Sequence, residues 1–271
     1  MRRITKAEAI AELAKYGTAV HCELCRSYIW WYGEDSSGKF YYDDEHKCVT
    51  VEDEYDYDGK RTAFYNIHQI SPDSDVFTAA EKCRAMLDEK LAGYEKTSRW
   101  LTVCHVSNGD LPEHLDRYYG WRNYARMGEA VQPDSRVREL NADDRELIKS
   151  ACAPYLSNDT DFGKKLAHDF SEHTFNSPFD KVHRVFGMFD GDSALGFASS
   201  TYIPELDIAW LLDIYVLPPY RRQGLGRVLV TTALADYPDK KWHYQVAKGN
   251  VPSIALARSL GFTLEGAGLF L

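Results

Sequence analysis

The sequence predicts an α/β (α+β) protein built from two domains, and three observations predict it. Segments with strand-like alternation and segments with helical spacing follow one another along the whole chain. Tight-turn signals at Asp58-Gly59 and Asp190-Gly191 separate strand-like runs, as antiparallel hairpins require. The stretch Ala130-Val131-Gln132-Pro133-Asp134-Ser135 interrupts the pattern near the middle, which places a smaller α+β domain over residues 1–130 and a second domain over 131–271.

The bulk numbers suit such a fold. The chain has 271 residues, 44% hydrophobic and 27% charged, enough to bury a core. The formal charge of −9 (32 basic against 41 acidic residues) argues against a nucleic-acid partner and fits a cationic substrate and plain solubility equally. No apolar run reaches membrane-spanning length, and the segment after Met1 lacks a signal-peptide core, so the expected compartment is the cytoplasm. Six cysteines in a chain of this size without an export signal read as reduced thiols.

In the first half, Lys6 to Tyr16 reads as an amphipathic helix with Ile10 and Leu13 on one face. Strands are expected at Tyr28–Tyr32, Phe40–Tyr42, Cys48–Val51 and Arg61–Ile67. A helix over Thr78–Leu91, capped by Ser74 or Asp75, and a strand over Trp100–Val106 follow. Cys22, Cys25, His46 and Cys48 offer four soft ligands, yet their spacing fits no zinc module and buried thiols explain them equally; no metal is assigned. The acidic stretch around Asp53 and Asp56, with Tyr55 and Tyr57 interleaved, reads as a solvated hairpin or as a platform for ammonium groups.

In the second half, strands are expected at Val137–Leu140, Arg184–Phe189, Leu195–Tyr202, Ile208–Val216 and Trp242–Val246, with short ones at Phe262–Leu264 and Gly268–Leu271. Helices are expected at Asp143–Ala151, Phe162–His173, Leu225–Ala235 and Pro252–Ser259. Between strand and helix stands Arg221-Arg222-Gln223-Gly224-Leu225-Gly226. Its glycines admit a ligand close to the backbone, the helix start offers unpaired N–H groups, and Arg221, Arg222 and Arg227 supply counter-charge for phosphate. The spacing is neither the dinucleotide fingerprint nor a P-loop.

The run from Leu212 to Gly226, with its Arg221-x-x-Gly224-x-Gly226, resembles the acetyl-CoA motif of the GNAT superfamily of N-acetyltransferases. Asn250-x-x-Ser253-x-x-Leu256, ending in Gly261-Phe262, resembles that family's second signature. The resemblance covers residues 137 to 271. It implies a mixed, mostly antiparallel sheet flanked by helices, with two strands splayed to admit acetyl-CoA. The backbone of Ile214 to Val216 would hold the pantetheine amides and the amides of Arg222, Gln223, Gly224, Leu225, Gly226 and Arg227 the pyrophosphate. Asn250 and Ser253 would touch the pantetheine arm, although Asn250 is also suited to cap a helix.

The implied reaction is direct attack of a primary amine of a small molecule or peptide on the thioester, without membrane or nucleic acid; a homodimer is left open. The residues that many members use as acid and base are absent: Ala257 stands seven residues after the Asn, and Trp210 and Leu212 stand where a Glu is common. Simple alternation places Trp210 and Leu212 on one face and Asp213 on the other, as a structural acceptor. His243 is then the candidate base, because imidazole titrates near neutral pH, with Tyr244, Tyr202 and Glu205 behind it. Two further readings stand beside it: proximity with water as base, and an acyl-CoA-binding protein without catalysis.

Overall fold

The computed structural model describes residues 1–15, 38–57, 60–69, 74–92, 97–106, 119–132, 134–155 and 183–270. The expected strand Tyr28–Tyr32, the helix Phe162–His173, the Asp58-Gly59 turn and Cys22 and Cys25 lie outside them. The strands are β1 (Arg2–Ile4), β2 (Lys39–Asp43), β3 (Cys48–Tyr57), β4 (Lys60–Gln69), β5 (Thr97–Val106), β6 (Tyr119–Met127), β7 (Val137–Leu140), β8 (His183–Asp190), β9 (Ser193–Ile203), β10 (Ile208–Val216), β11 (Lys241–Ala247) and β12 (Thr263–Phe270). The helices are α1 (Lys6–Ala14), α2 (Val76–Leu91), α3 (Arg145–Cys152), α4 (Leu225–Ala235) and α5 (Val251–Ser259). The fold class is as expected: antiparallel-rich sheet flanked by helices, with an additional α+β region ahead of the second half.

By packing, the chain forms two compact units that interleave along the sequence. Unit 1 takes residues 1–124, 246–250 and 264–271; unit 2 takes 125–245 and 251–263. The sequence boundary near 129–135 does not separate them, because the last strand is pledged to the unit built mostly from the first half.

In unit 1 the strand order is β1-β2-β3-β4-β5-β12. All neighbours are antiparallel except β4 and β5, which the crossover helix α2 joins in parallel. Helix α1 starts with a capping box in which Thr5 and Glu8 satisfy each other's backbone N–H groups. Helix α2 buries Val76, Ala79, Ala80, Cys83, Leu87 and Leu91 against Tyr65 and Ile67 of β4 and Ala267 and Leu269 of β12. That spacing of three and four residues is the apolar stripe that makes the segment a helix.

Unit 2 repeats this path. β7 leads into α3, β8-β9-β10 form an antiparallel meander, α4 crosses over, and β11 lies parallel to β10. The end of β6 lies beside β11, where Gly128 N–H donates to Lys240 O at 2.7 Å. Two helix layers cover the sheet. Leu140, Ile148, Cys152, Val185, Phe197 and Tyr215 form the core under α3, and Met188, Leu195, Ala198, Leu225 and Leu229 the core under α4.

A buried carboxylate ties unit 1 together. Glu52 receives Lys39 Nζ at 3.0 Å and the hydroxyls of Tyr65 at 2.8 Å and Tyr41 at 3.2 Å, and it also pairs with Lys90 of α2. Lys90 in turn reaches Glu54 at 3.0 Å. Two carboxylates of the acidic stretch are thus spent within the unit. Burial pushes the Glu52 pKa up, but the hydrogen bonds from Lys90, Tyr65 and Lys39 outweigh it and bring it down to about 2. Because the folded pKa is depressed, the charged carboxylate stabilises the fold fully above pH 4.5, and that contribution is lost as pH falls towards 2. Glu52→Gln is expected to lower stability at pH 7 by about 2 kcal/mol. The gap between native and variant, read by denaturant titration, should close progressively below pH 4.5.

Candidate acyl-donor site

The parallel ladder between β10 and β11 has only four rungs, Ile208↔Lys241 to Leu211↔Tyr244. Beyond Leu211, β10 stays bonded to β9 through Val216↔Gly196 but no longer to β11. The two strands part, and the edge of β10 from Leu212 to Val216 faces a gap. Ile214 and Val216, expected to hold an amide-bearing arm, lie on that edge. Arg221 Nε donates to the Val216 carbonyl at 2.9 Å, leaving that oxygen a second lone pair.

The turn after β10 opens on the same side. A 3₁₀ turn at Pro218–Tyr220 ends the strand, and α4 begins at Leu225 with Gly224 as its N-cap. No side chain caps this helix, so its first-turn N–H groups keep the positive end of the dipole unmasked. Arg222 has φ 65 and Gly224 φ 80, left-handed residues flanking Gln223. Such alternation turns successive N–H groups into a concave nest that suits an anion. A Cβ on Gly226 would meet only Leu256 at 3.5 Å and Val216 at 3.8 Å, so the packing of the protein itself does not demand glycine there.

The three arginines divide. Arg222 is exposed beside the nest. Arg221 turns back to the strand, its guanidinium 5.5 Å from the Tyr215 ring centre. Arg227 reaches the carbonyl of Ser259 at 2.9 Å and ties α4 to α5. Ser253 lies on α5, where its hydroxyl shares a hydrogen bond with the Tyr244 phenol. Asn250 packs within unit 1, its N–H donating to Ala247 O at 3.1 Å. Phe262 is core, edge-on to Tyr244 at 5.9 Å, and Ala257 is fully buried.

β10 carries a feature that the sequence conceals. Its register with β9 shifts between Leu211 and Asp213: Trp210 faces Thr201, Leu211 faces Ser200, and Asp213 faces Ser199. Ser199 and Thr201 share one face of β9, so Trp210 and Asp213 share a face as well. The expectation that Asp213 points away from Trp210 is therefore corrected: Leu212 is the extra residue of a bulge, and alternation restarts after it. Ser199 Oγ donates to Asp213 Oδ2 at 3.3 Å.

His243 sits opposite Trp210 and stacks on its ring at 5.2 Å, completely buried, with neither ring nitrogen hydrogen-bonded. Burial, helped by the charge of Lys241, lowers its pKa to about 3. A ring so weakly basic and so enclosed is poorly placed to take a proton from an amine at neutral pH. Tyr244 is buried too; burial, helped by the charge of Asp213 and opposed by the Ser253 hydrogen bond, raises its pKa to about 12. Tyr202 donates to Asp207 at 2.6 Å and stacks on Tyr237, and Glu205 lies exposed in the β9–β10 turn.

Among the described residues, one group of metal-ligand type stands together, Asp43, Glu45 and His46. Lys82 already fills it, 2.8 Å from Glu45 and 3.3 Å from His46 Nδ1, and its ammonium supplies the positive charge. No helix among the described residues is long and apolar enough to cross a membrane.

The enclosure of His243 has a measurable sign. Its folded pKa lies below 6.5, so protonation favours the unfolded chain, and stability is lost as pH falls below that value. His243→Phe removes the liability and is expected to gain on the native protein by roughly 1.4 kcal/mol per pH unit below about 6.5. Chemical denaturation at pH 7 and pH 5 reads this out.

The family comparison with known proteins falls on the same segment. The Acetyltransferase (GNAT) family matches residues 146–262. The chain is similar to the [Ribosomal protein bS18]-alanine N-acetyltransferase of Escherichia coli strain K12, 37% identical over 106 residues, which are 36% of this chain and 69% of that protein. Among solved structures, a GCN5-related N-acetyltransferase from Sphaerobacter thermophilus shares the fold over 99% of this chain and 93% of its own, at 12% identity and TM-score 0.56. A tandem GNAT protein from the clavulanic acid biosynthesis pathway does so over 100% and 97%, at 10% identity and TM-score 0.58. With its two motifs, its parted strands and a relative matched over two thirds of that relative's length, the chain belongs to the GNAT family of acetyltransferases.

Proposed function

We propose that this protein transfers an acetyl group from acetyl-CoA to a primary amine carried by a peptide or protein. The observation that carries the reading is the four-rung ladder that opens onto an uncapped helix start. Pyrophosphate fits the nest from Arg222 to Gly226, with Arg222 as counter-charge. The pantetheine arm runs along the free edge of β10 at Ile214 and Val216, with Ser253 beside it and Asn250 one residue before α5. Its amides continue the hydrogen bonding that β11 abandons.

Tyr244 stands at the last rung before the strands part. Its raised pKa keeps the phenol protonated throughout neutral pH, so it serves as a hydrogen-bond donor to the departing sulfur. A peptide acceptor agrees with the activity named for the Escherichia coli relative, and the net negative charge favours an ammonium-bearing substrate.

Calorimetric titration with acetyl-CoA is the direct test, on the native chain and on Gly226→Glu. The variant adds a carboxylate where the pyrophosphate would lie, at a position whose packing tolerates a side chain. Micromolar binding to the native chain, weakened at least tenfold in a variant of unchanged melting temperature, is expected. Binding without turnover of any peptide amine would instead favour a non-catalytic acyl-CoA-binding protein, a reading to which the apolar Trp210, Leu212 and Ala257 lend support. Absence of binding would remove the donor assignment.

A further inference from the structure

We propose that Asp213 is the carboxylate that receives the acceptor amine and takes its proton; this rests on the donor site proposed above. The bulge at Leu212 turns Asp213 onto the face of Trp210, and it does so just past Leu211↔Tyr244, the last rung of the ladder. Asp213 is half-buried, and Ser199 Oγ holds one of its oxygens at 3.3 Å. Tyr244 pairs with Leu211 and so leaves the end of the ladder on the opposite face, while the Asp213 charge still reaches its phenol and adds to the raised pKa. The other candidates are placed less well: His243 is sealed under Trp210, Tyr202 is engaged with Asp207, and Glu205 lies in an exposed turn.

The step balances as follows. The ammonium gives one proton to Asp213, which passes it to solvent. The freed lone pair attacks the thioester carbonyl carbon, a C–N bond forms, and the C–S bond breaks. The second proton lost by the nitrogen accompanies the thiolate, so that an amide, free coenzyme A thiol and one solvent proton result. A carboxylate is a weak base towards an ammonium ion. The step is easiest for an amine that is itself close to neutral, and an α-amino group (pKa about 8) precedes a lysine side chain (about 10.4) in that respect.

The test uses the full chain, acetyl-CoA and two peptides, one with a free α-amine and no lysine, the other α-blocked with a single lysine. Asp213→Asn is expected to lower kcat about 100-fold on the α-amine peptide and leave acetyl-CoA affinity unchanged. Its rate should recover as pH rises and free amine accumulates, and Asp213→Glu should restore part of the loss at neutral pH. The native enzyme should favour the α-amine by roughly 100-fold at pH 7. An Asn variant within threefold of native turnover, with an unshifted pH profile, overturns the assignment. Should the Asn variant unfold, a folded Asp213→Ser enzyme within threefold of native turnover, with an unshifted pH profile, does the same. Loss of acetyl-CoA binding by the native chain would fall on the donor site instead.

A separate observation concerns unit 1. It follows the same path as unit 2, strand, helix, three-strand meander, crossover helix, parallel strand, yet its parallel ladder has eight rungs, Arg61↔Thr97 to His68↔Cys104, and closes one residue short of the end of β4. The helix after it starts not with a bare glycine turn but with Asp75, whose carboxylate takes the Thr78 N–H at 3.0 Å and hydroxyl at 2.6 Å. A carboxylate where pyrophosphate would approach repels it. We infer that unit 1 is a second copy of the acyltransferase fold with its donor slot shut, and that the chain takes up one acyl-CoA. Calorimetry on the full chain should give a stoichiometry of one, abolished in Gly226→Glu. A stoichiometry near two, or a binding event surviving in that variant, overturns the inference.

Discussion

The early end of one ladder governs the second half of this protein. Backbone groups in a sheet interior are normally paired along the full length of both strands, because an unpaired buried amide is costly. β10 and β11 break that rule after Leu211↔Tyr244, and the freed edge of β10 has value only if something else bonds to it. The other features follow from the parting. The helix start beyond it lacks a side-chain cap, Arg222 and Gly224 bend the turn into a nest, and Arg227 fastens α4 to α5 through the Ser259 carbonyl.

The bulge at Leu212 is the second half of the same design. A single extra residue changes which face every later side chain of β10 uses. Tyr215 thereby enters the core under α3, while Ile214 and Val216 pack on the α4 side. Removal of the bulge would exchange those sets, so the core itself enforces the position of Asp213.

Much of this was readable from residue order. The glycine turn and the Asn-Ser-Leu block lie in short contiguous segments whose backbone requirements leave a mark on the sequence, and Ile208–Val216 and Leu225–Ala235 have the bounds expected of them. What escaped depends on partners distant in sequence. A bulge is a relation between two strands, so Leu211-Leu212-Asp213 alone gives no sign of it. β6 carries Trp121, Arg122, Asn123 and Tyr124 without clean alternation and was not anticipated as a strand. β12 was expected as two short pieces, because its glycines, Gly266 and Gly268, imitate a break; the Trp121 ring occupies the space where a Cβ on Gly268 would stand. His243 looked like a base because residue type is visible in a sequence and burial is not.

The order in which the chain is made bears on the interleaved units. Residues 264–271 belong to unit 1, and Ala267 and Leu269 complete the core beneath α2. A ribosome delivers the first 124 residues long before that strand, so the nascent unit 1 must wait with the edge of β5 uncovered while the whole of the second half is synthesised. An edge strand held open in this way is the surface on which chaperones and stray strands compete.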